Sequence, residues 1–226
     1  LRRLDISTDT LAAHGVRMYL QPGGLQPIAP LRGESWEPLF YALPEFDVRL
    51  EFEPSDFIQI NGPLNRRMVQ TALALLDPQS GDRVLDLFCG LGNFTLPLAR
   101  KAGAVLGVEG DQGLVARAEA NARLNGIGNA QFRVADLFVT DESRPWSRER
   151  FDRVLLDPPR AGAREVLPWV AGCGAARVVY ISCHPGSLAR DAGILVNELG
   201  FRLEAAGAMD MFPHTAHVES LAVFVR

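Results

Sequence analysis

From Arg83 onward, short apolar runs and segments of helical periodicity alternate along this chain. Arg83-Val84-Leu85-Asp86-Leu87-Phe88 reads as a buried strand, residues 95–101 as a short helix, and Val105-Leu106-Gly107-Val108-Glu109 as the next strand. Leu114, Ala118, Ala122 and Asn125 then recur at helical spacing over residues 114–125. Residues 131–135, 153–156 and 178–181 supply three more strands, with helices near 164–171 and 188–199. Two final strands, 202–206 and 220–225, lie close enough in sequence to pair antiparallel. Strands joined by crossover helices run parallel and are covered on both faces. The predicted fold is therefore α/β and Rossmann-like: a doubly wound, mostly parallel seven-stranded sheet with an antiparallel C-terminal strand. No internal repeat or low-complexity tract interrupts it.

Residues 1–56 differ. Val16-Arg17-Met18-Tyr19-Leu20 alternates, Gln21-Pro22-Gly23-Gly24 reads as a turn, and Val48-Arg49-Leu50-Glu51-Phe52 alternates again. This piece is too short for a core of its own, and it is read as a β-rich remnant of a central domain beside a catalytic domain of residues 57–226. The chain opens at Leu1 in what reads as mid-sequence, so an excised fragment or a processed start is expected. Apolar runs fall far short of the about 18 residues a membrane helix needs, and no signal peptide is visible. The three cysteines show no pairing pattern, which points to a reducing cytoplasm. The net charge of −4 weighs mildly against nucleic acid, although Arg66-Arg67, Arg160 with Arg164, and Arg190 form local basic clusters.

Ligands of open α/β sheets bind beyond the carboxyl ends of the strands. The first such end carries Phe88-Cys89-Gly90-Leu91-Gly92-Asn93-Phe94, whose glycines let a ligand approach the backbone. The second ends in Glu109, placed to take both hydroxyls of a ribose, and the third in Asp136, suited to an adenine amino group. The fourth ends at Asp157-Pro158-Pro159-Arg160. A dinucleotide fingerprint would need a third glycine where Thr95 stands. Asp86, inside the first strand, reads better as addressing an amino group near the glycine loop. Adenine, ribose and an amino-acid end together describe S-adenosylmethionine.

The fifth strand runs into Ser182-Cys183-His184-Pro185, and the polar stretch 210–220 carries Asp210, His214, His217 and Glu219. A thiol and a base at one crevice suit covalent catalysis. Cys89 is the rival thiol and is expected on the cofactor side; Cys173 reads as structural. His214 and His217 lack metal-ligand partners, and positioning Glu219 is the better role for them. No metal site is read.

These motifs resemble the S-adenosylmethionine-dependent RNA uracil-C5-methyltransferases. The landmarks, within a likeness that runs from about residue 20 to the end, are Asp56-Phe57-Ile58-Gln59-Ile60-Asn61, 86–94, Asp157-Pro158-Pro159-Arg160-Ala161-Gly162, Ser182-Cys183-His184-Pro185 and His217-Val218-Glu219-Ser220. The bacterial large-subunit ribosomal RNA branch is most similar, and the transfer RNA branch comes next. The resemblance implies a class I methyltransferase fold and cofactor contacts by Gln59, Asp86, Phe88, Gly90, Gly92, Asn93, Glu109, Asp136 and Asp157. It implies Cys183 as nucleophile on uracil carbon 6 and Glu219 as the base that removes the carbon 5 proton. Asp157, Arg160 and Arg190 are read as uracil or RNA contacts, the partner being ribosomal or transfer RNA and the enzyme a cytoplasmic monomer. The family's ribosomal branch usually carries an N-terminal β-barrel and four cluster cysteines; Cys89, Cys173 and Cys183 are not spaced for an iron–sulfur cluster. Two other readings stay open: an amino-nitrogen methyltransferase built on Asp157-Pro158-Pro159-Arg160, and a fold that only binds RNA.

Overall fold

A computed structural model describes residues 13–16, 18–20, 28–31, 38–139, 148–215 and 217–226. Its central sheet is built from β5 (Arg83–Leu87), β6 (Ala104–Glu109), β7 (Ala130–Val134), β8 (Arg153–Leu156), β9 (Arg177–Ser182), β10 (Arg202–Met209) and β11 (Glu219–Val225). Their spatial order is β10-β11-β9-β8-β5-β6-β7. Neighbours from β9 to β7 pair parallel, and β11 is inserted antiparallel between β9 and β10. The two closing strands do pair antiparallel, as their proximity in sequence predicts. Of the pair, β10 takes the sheet edge and is largely exposed, whereas every residue of β11 is buried.

Period-two alternation divides each central strand between two cores. Val84, Leu155, Val179, Ile181, Leu221 and Val223 belong to one face; Leu85, Val154, Leu156, Val178, Tyr180 and Phe224 belong to the other. The first face is covered by α1 (Gly62–Leu76), α2 (Thr95–Ala99) and α3 (Gln112–Leu124), the second by α4 (Leu167–Gly172) and α5 (Pro185–Asn197). Such two-sided burial explains why the strands read as continuous apolar runs.

Helix α1 is absent from the sequence reading, yet its signals are present. Asn61 caps it by accepting from the Leu64 amide at 3.4 Å, Pro63 occupies its first turn, and Met68, Val69, Ala72, Leu73 and Leu76 form its buried stripe. The N-terminal alternation is half recovered. Val48–Phe52 is β4, paired with an unforeseen β3 (Leu39–Leu43), while Tyr19–Leu20 (β1) pairs with Ala29–Pro30 (β2). The turn read at 21–24 lies outside the described residues. Leu43, Val48 and Leu50 are buried in the same core as α1 and α3. Asn121 of α3 and Asn125, the residue that ends it, seal the outer edge of β4. Asn121 accepts from the Glu51 amide at 2.9 Å and donates to its carbonyl at 3.1 Å, and Asn125 does the same for Arg49 at 2.8 and 2.7 Å. Spaced four apart, the two amides stand on one helix face and imitate a neighbouring strand. Among the described residues no helix is long and apolar enough to cross a membrane.

Candidate active site

Because β11 runs opposite to β9, its first residue lies at the edge where the parallel strands end. The ladder between them sets Ser220 across from Ser182, and the Ser220 hydroxyl donates to the Ser182 carbonyl at 3.0 Å. Cys183 follows Ser182 and Glu219 precedes Ser220, so the two flank the last pair of this ladder, and the charge of Glu219 is felt at the thiol. Glu219 is only 3% exposed, while Cys183 keeps part of its surface open. Burial pushes the Cys183 thiol above its ordinary value. The Glu219 and Asp157 carboxylates add to the rise, and Arg160 opposes it. Burial also raises Glu219. Asp157, at the end of β8, is driven well above the usual carboxylate range by burial and then by the charges of Glu219 and Asp86.

The loop after β5 is folded by its backbone. Phe88 (φ 64°), Gly90 (φ 54°) and Gly92 (φ 99°) all take left-handed angles. The Phe88 and Cys89 amides both donate to the Val108 carbonyl, at 2.9 and 3.1 Å. Glu109 braces this turn: one carboxylate oxygen accepts from the Gly90 amide at 3.1 Å, the other from Gly110 at 2.7 Å and Asp111 at 3.1 Å. That leaves one lone-pair direction for a ligand hydroxyl. Asn93 is similarly engaged, in a reciprocal pair with buried Asn65 (both bonds 3.0 Å) and as acceptor from the Tyr41 hydroxyl at 3.0 Å. Exposed Asp136 accepts from the Phe138 amide at 2.9 Å, and the Phe138 ring lies 5.7 Å from that of Phe88. Phe138 was not singled out from the sequence, although an aromatic two residues after a strand-end acid is a readable sign of a pocket wall.

Asp86 is fully buried. One of its oxygens accepts from the Thr95 hydroxyl at 2.5 Å; the other is buried with no hydrogen-bond partner among the described residues. Burial, with the charge of Glu109, lifts its carboxyl to about 7. An orphaned acceptor on a buried acid awaits a donor from outside the chain. The charges of Glu219 and Asp86 thus raise Asp157, that of Glu109 raises Asp86, and burial raises Glu219, and such a gathering of acids favours a ligand that carries positive charge. The same burial costs the fold stability. Between the unfolded value of 3.8 and about 7, folded Asp86 holds a proton that the unfolded chain releases, so this group destabilises the fold progressively as pH rises through that window. Asp86→Asn is therefore expected to raise the thermal unfolding midpoint, more at pH 8 than at pH 5; an equal change at both would contradict the assignment.

Other sequence-read residues take different places. Gln59 is half-buried in the segment between β4 and α1, and Asn61 pins the end of that segment by donating to the Met211 carbonyl at 3.0 Å. Cys89 is buried in the sheet-side core, where a Cβ on Gly107 would sit 2.9 Å from its sulfur, and the charges of Asp86 and Glu109 act on it there. Small Gly107 on the neighbouring strand draws it there. Cys173 is buried and donates to the Val170 carbonyl at 3.2 Å, as its structural reading expects. His217 stands edge-on to Phe212 at 6.2 Å and makes no hydrogen bond to Glu219 among the described residues. Arg160 is exposed, with no partner for its guanidinium among the described residues, while Arg190 is tied to Asp191. Among the described residues no three metal-capable side chains come together.

A sequence model of the family described as tRNA (Uracil-5-)-methyltransferase matches residues 44–226. The chain belongs to this family. A 23S rRNA (uracil(1939)-C(5))-methyltransferase RlmD of Xanthomonas axonopodis pv. citri (strain 306) is 61% identical to it over 213 residues, 94% of this chain and 48% of that protein. A protein of the same description from Stenotrophomonas maltophilia (strain K279a) is 61% identical over 211 residues, 93% of the chain and 47% of the relative. The chain thus spans about half the length of the curated relatives it matches. The crystal structure of Pyrococcus abyssi tRNA (uracil-54, C5)-methyltransferase in complex with S-adenosyl-L-homocysteine is similar at a TM-score of 0.71 and 30% identity, over 85% of this chain and 44% of that one. M. jannaschii TYW2 in complex with AdoMet shares the fold alone, at a TM-score of 0.64 and 18% identity, over 88% and 90%. The seven-stranded sheet of this uracil-5-methyltransferase family member, with its one reversed strand, is thus the class I methyltransferase arrangement.

Proposed function

We propose that this chain carries the catalytic part of an S-adenosylmethionine-dependent RNA uracil-C5-methyltransferase acting on large-subunit ribosomal RNA. The observation that supports this reading is the β9–β11 register, whose last pair, Ser182 with Ser220, is flanked by a partly open thiol, Cys183, and a buried carboxylate, Glu219. The RlmD relatives favour ribosomal RNA as substrate. Transfer RNA is the second reading, favoured by the Pyrococcus abyssi tRNA enzyme. In this reading residues 57–226 form the catalytic domain, residues 1–56 are the remnant of a central domain, and the enzyme works as a cytoplasmic monomer. An amino-nitrogen methyltransferase has no use for the Cys183–Glu219 pair.

The cofactor fits the residues present. The orphaned oxygen of Asp86 suits the amino group of S-adenosylmethionine, the open lone pair of Glu109 suits a ribose hydroxyl, and Phe88 and Phe138 suit the adenine, with Asp136 at its edge. Gln59, Asn93, Gly90 and Gly92 complete the cradle. When bound, the cofactor supplies an electrophilic methyl group on a positively charged sulfur, the charge this acidic cleft favours. Cys183, partly open to water, gives its proton to solvent, and the thiolate adds to carbon 6 of the uracil. Electron density moves to carbon 5, which is otherwise a poor nucleophile and now takes the methyl group. Glu219 then removes the carbon 5 proton, the double bond re-forms and the thiolate leaves. Asp157 holds the uracil, with the prolines that follow stiffening its loop, and Arg160 and Arg190 are assigned RNA contacts. The target base must leave its stack to enter.

The test is methyl transfer from labelled S-adenosylmethionine to unmodified large-subunit ribosomal RNA, with the product nucleoside analysed by mass. 5-Methyluridine is expected. Label found only in N-methylated bases would overturn the proposal, and label in transfer RNA alone would move it to the second reading.

A further inference from the structure

Asp191, in the second turn of α5, is fully buried and was not marked by its sequence context. A carboxylate taken out of water is costly unless every lone pair is answered. Here one oxygen accepts from the Tyr180 hydroxyl at 2.6 Å and the Ala163 amide at 2.8 Å, and the other accepts from the Arg190 guanidinium at 2.7 and 2.8 Å. Arg190 in turn donates to the Ala161 carbonyl at 2.8 Å. Four residues earlier on the same helix, the Ser187 hydroxyl donates to the Arg160 carbonyl at 2.6 Å and meets the His184 ring nitrogen at 2.9 Å. Gly162 sits under this cluster at φ 88°, where a Cβ would stand 2.6 Å from an Asp191 oxygen and 2.5 Å from the Arg190 guanidinium.

These bonds join two segments. One is the loop 157–163, which carries Asp157 and Arg160; the other begins at Cys183 and continues into α5. The partners of the clasp are Arg160, Ala161 and Ala163 on the loop, Tyr180 on β9, and His184, Ser187 and Arg190 in the segment that follows Cys183. An apolar side chain would fill the space around Asp191, but it would not fix the loop's position along the helix. We propose that Asp191 is a positioning residue for the reaction proposed above: it sets how closely Asp157 and Arg160 approach the Cys183 thiol. The inference rests on that functional reading for its meaning, but its geometry stands apart from it. Loosening the clasp admits water to Cys183 and moves away both the carboxylate that suppresses its ionisation and the cation that favours it. Burial and Asp157 outweigh Arg160 in that balance, so a loosened clasp leaves Cys183 easier to ionise.

The experiment is alkylation of the full chain by iodoacetamide across pH, read cysteine by cysteine by peptide mass spectrometry, for wild type, Asp191→Asn and Tyr180→Phe. Thiolate is the reacting species, so the rate reports ionisation. Asp191→Asn is expected to alkylate at Cys183 about threefold faster or more at pH 8, with its profile displaced to lower pH, and Tyr180→Phe is expected to shift it less in the same direction. Buried Cys89 and Cys173 stay protected if the fold holds. Should Asp191→Asn expose them, Tyr180→Phe, which keeps the ion pair, decides. An unchanged Cys183 profile in a variant whose other cysteines stay protected overturns the proposal and leaves Asp191 a purely structural residue. A wild-type chain that never forms 5-methyluridine would sink the functional reading, yet leave the displaced profile standing.

Discussion

Cys183→Ala is expected to lower RNA methylation on the order of 10⁴-fold or more, the scale of losing a covalent nucleophile. The size follows from the chemistry: without a bond to carbon 6, carbon 5 of uracil has no means of attacking a methyl donor. No other thiol can substitute, because Cys89 and Cys173 are both buried. Cys183 is partly exposed and, among the described residues, its thiol bonds only to its own backbone, so the fold and binding of S-adenosylmethionine should survive the change. Calorimetric titration with the cofactor and a melting curve check both. A variant that binds cofactor, melts like wild type and still methylates RNA at more than a few per cent of the normal rate would remove the thiol from the mechanism.

Glu219→Gln is expected to separate the two halves of the reaction. Gln keeps the size of the side chain and the β11 ladder, in which Glu219 pairs with Met209 on one side and Ser220 with Ser182 on the other. It cannot accept the carbon 5 proton. Addition and methylation should then proceed while release stalls, so turnover falls by about 10²- to 10⁴-fold. Covalent enzyme–RNA complex should accumulate on ordinary, unsubstituted RNA, visible as a band that survives denaturation. The burial that raises Glu219 suits a base that works in a partly dry site. Turnover at the wild-type rate, or slow turnover with no trapped complex, would contradict its assignment.

Much of the sheet was legible because both its faces are covered, which forces apolar runs such as Val178-Val179-Tyr180-Ile181. Helix α1 was passed over although Asn61, Pro63 and a clean apolar stripe announce it, since it precedes the first strand of the alternation. Strand β3 escaped because it is completed by its partner β4, not by its own sequence. Within the site, the residue types could be read at the strand ends. The strand order could not: that β11 slips between β9 and β10, and so starts beside the end of β9, is decided by sheet packing over a long stretch of chain. Asp191 was invisible for a related reason. A charged residue inside a helix reads as a solvated face, and only the arrival of Tyr180, Ala163 and Arg190 around it makes burial tolerable. The direction of Cys89 likewise depends on Gly107 across the neighbouring strand.

The central claim is that Cys183 bonds to carbon 6 of a uracil and is freed by removal of the carbon 5 proton. Large-subunit ribosomal RNA transcribed with 5-fluorouridine carries fluorine in place of that proton, which no base can remove as a cation, so methylation should leave enzyme and RNA joined. After incubation with S-adenosylmethionine, intact-mass and peptide analysis should find wild-type chain carrying a methylated fluorouridine nucleotide on Cys183 and none on Cys183→Ala. Wild-type chain that binds and methylates normal RNA, yet gives no adduct or gives one on another residue, would contradict the account.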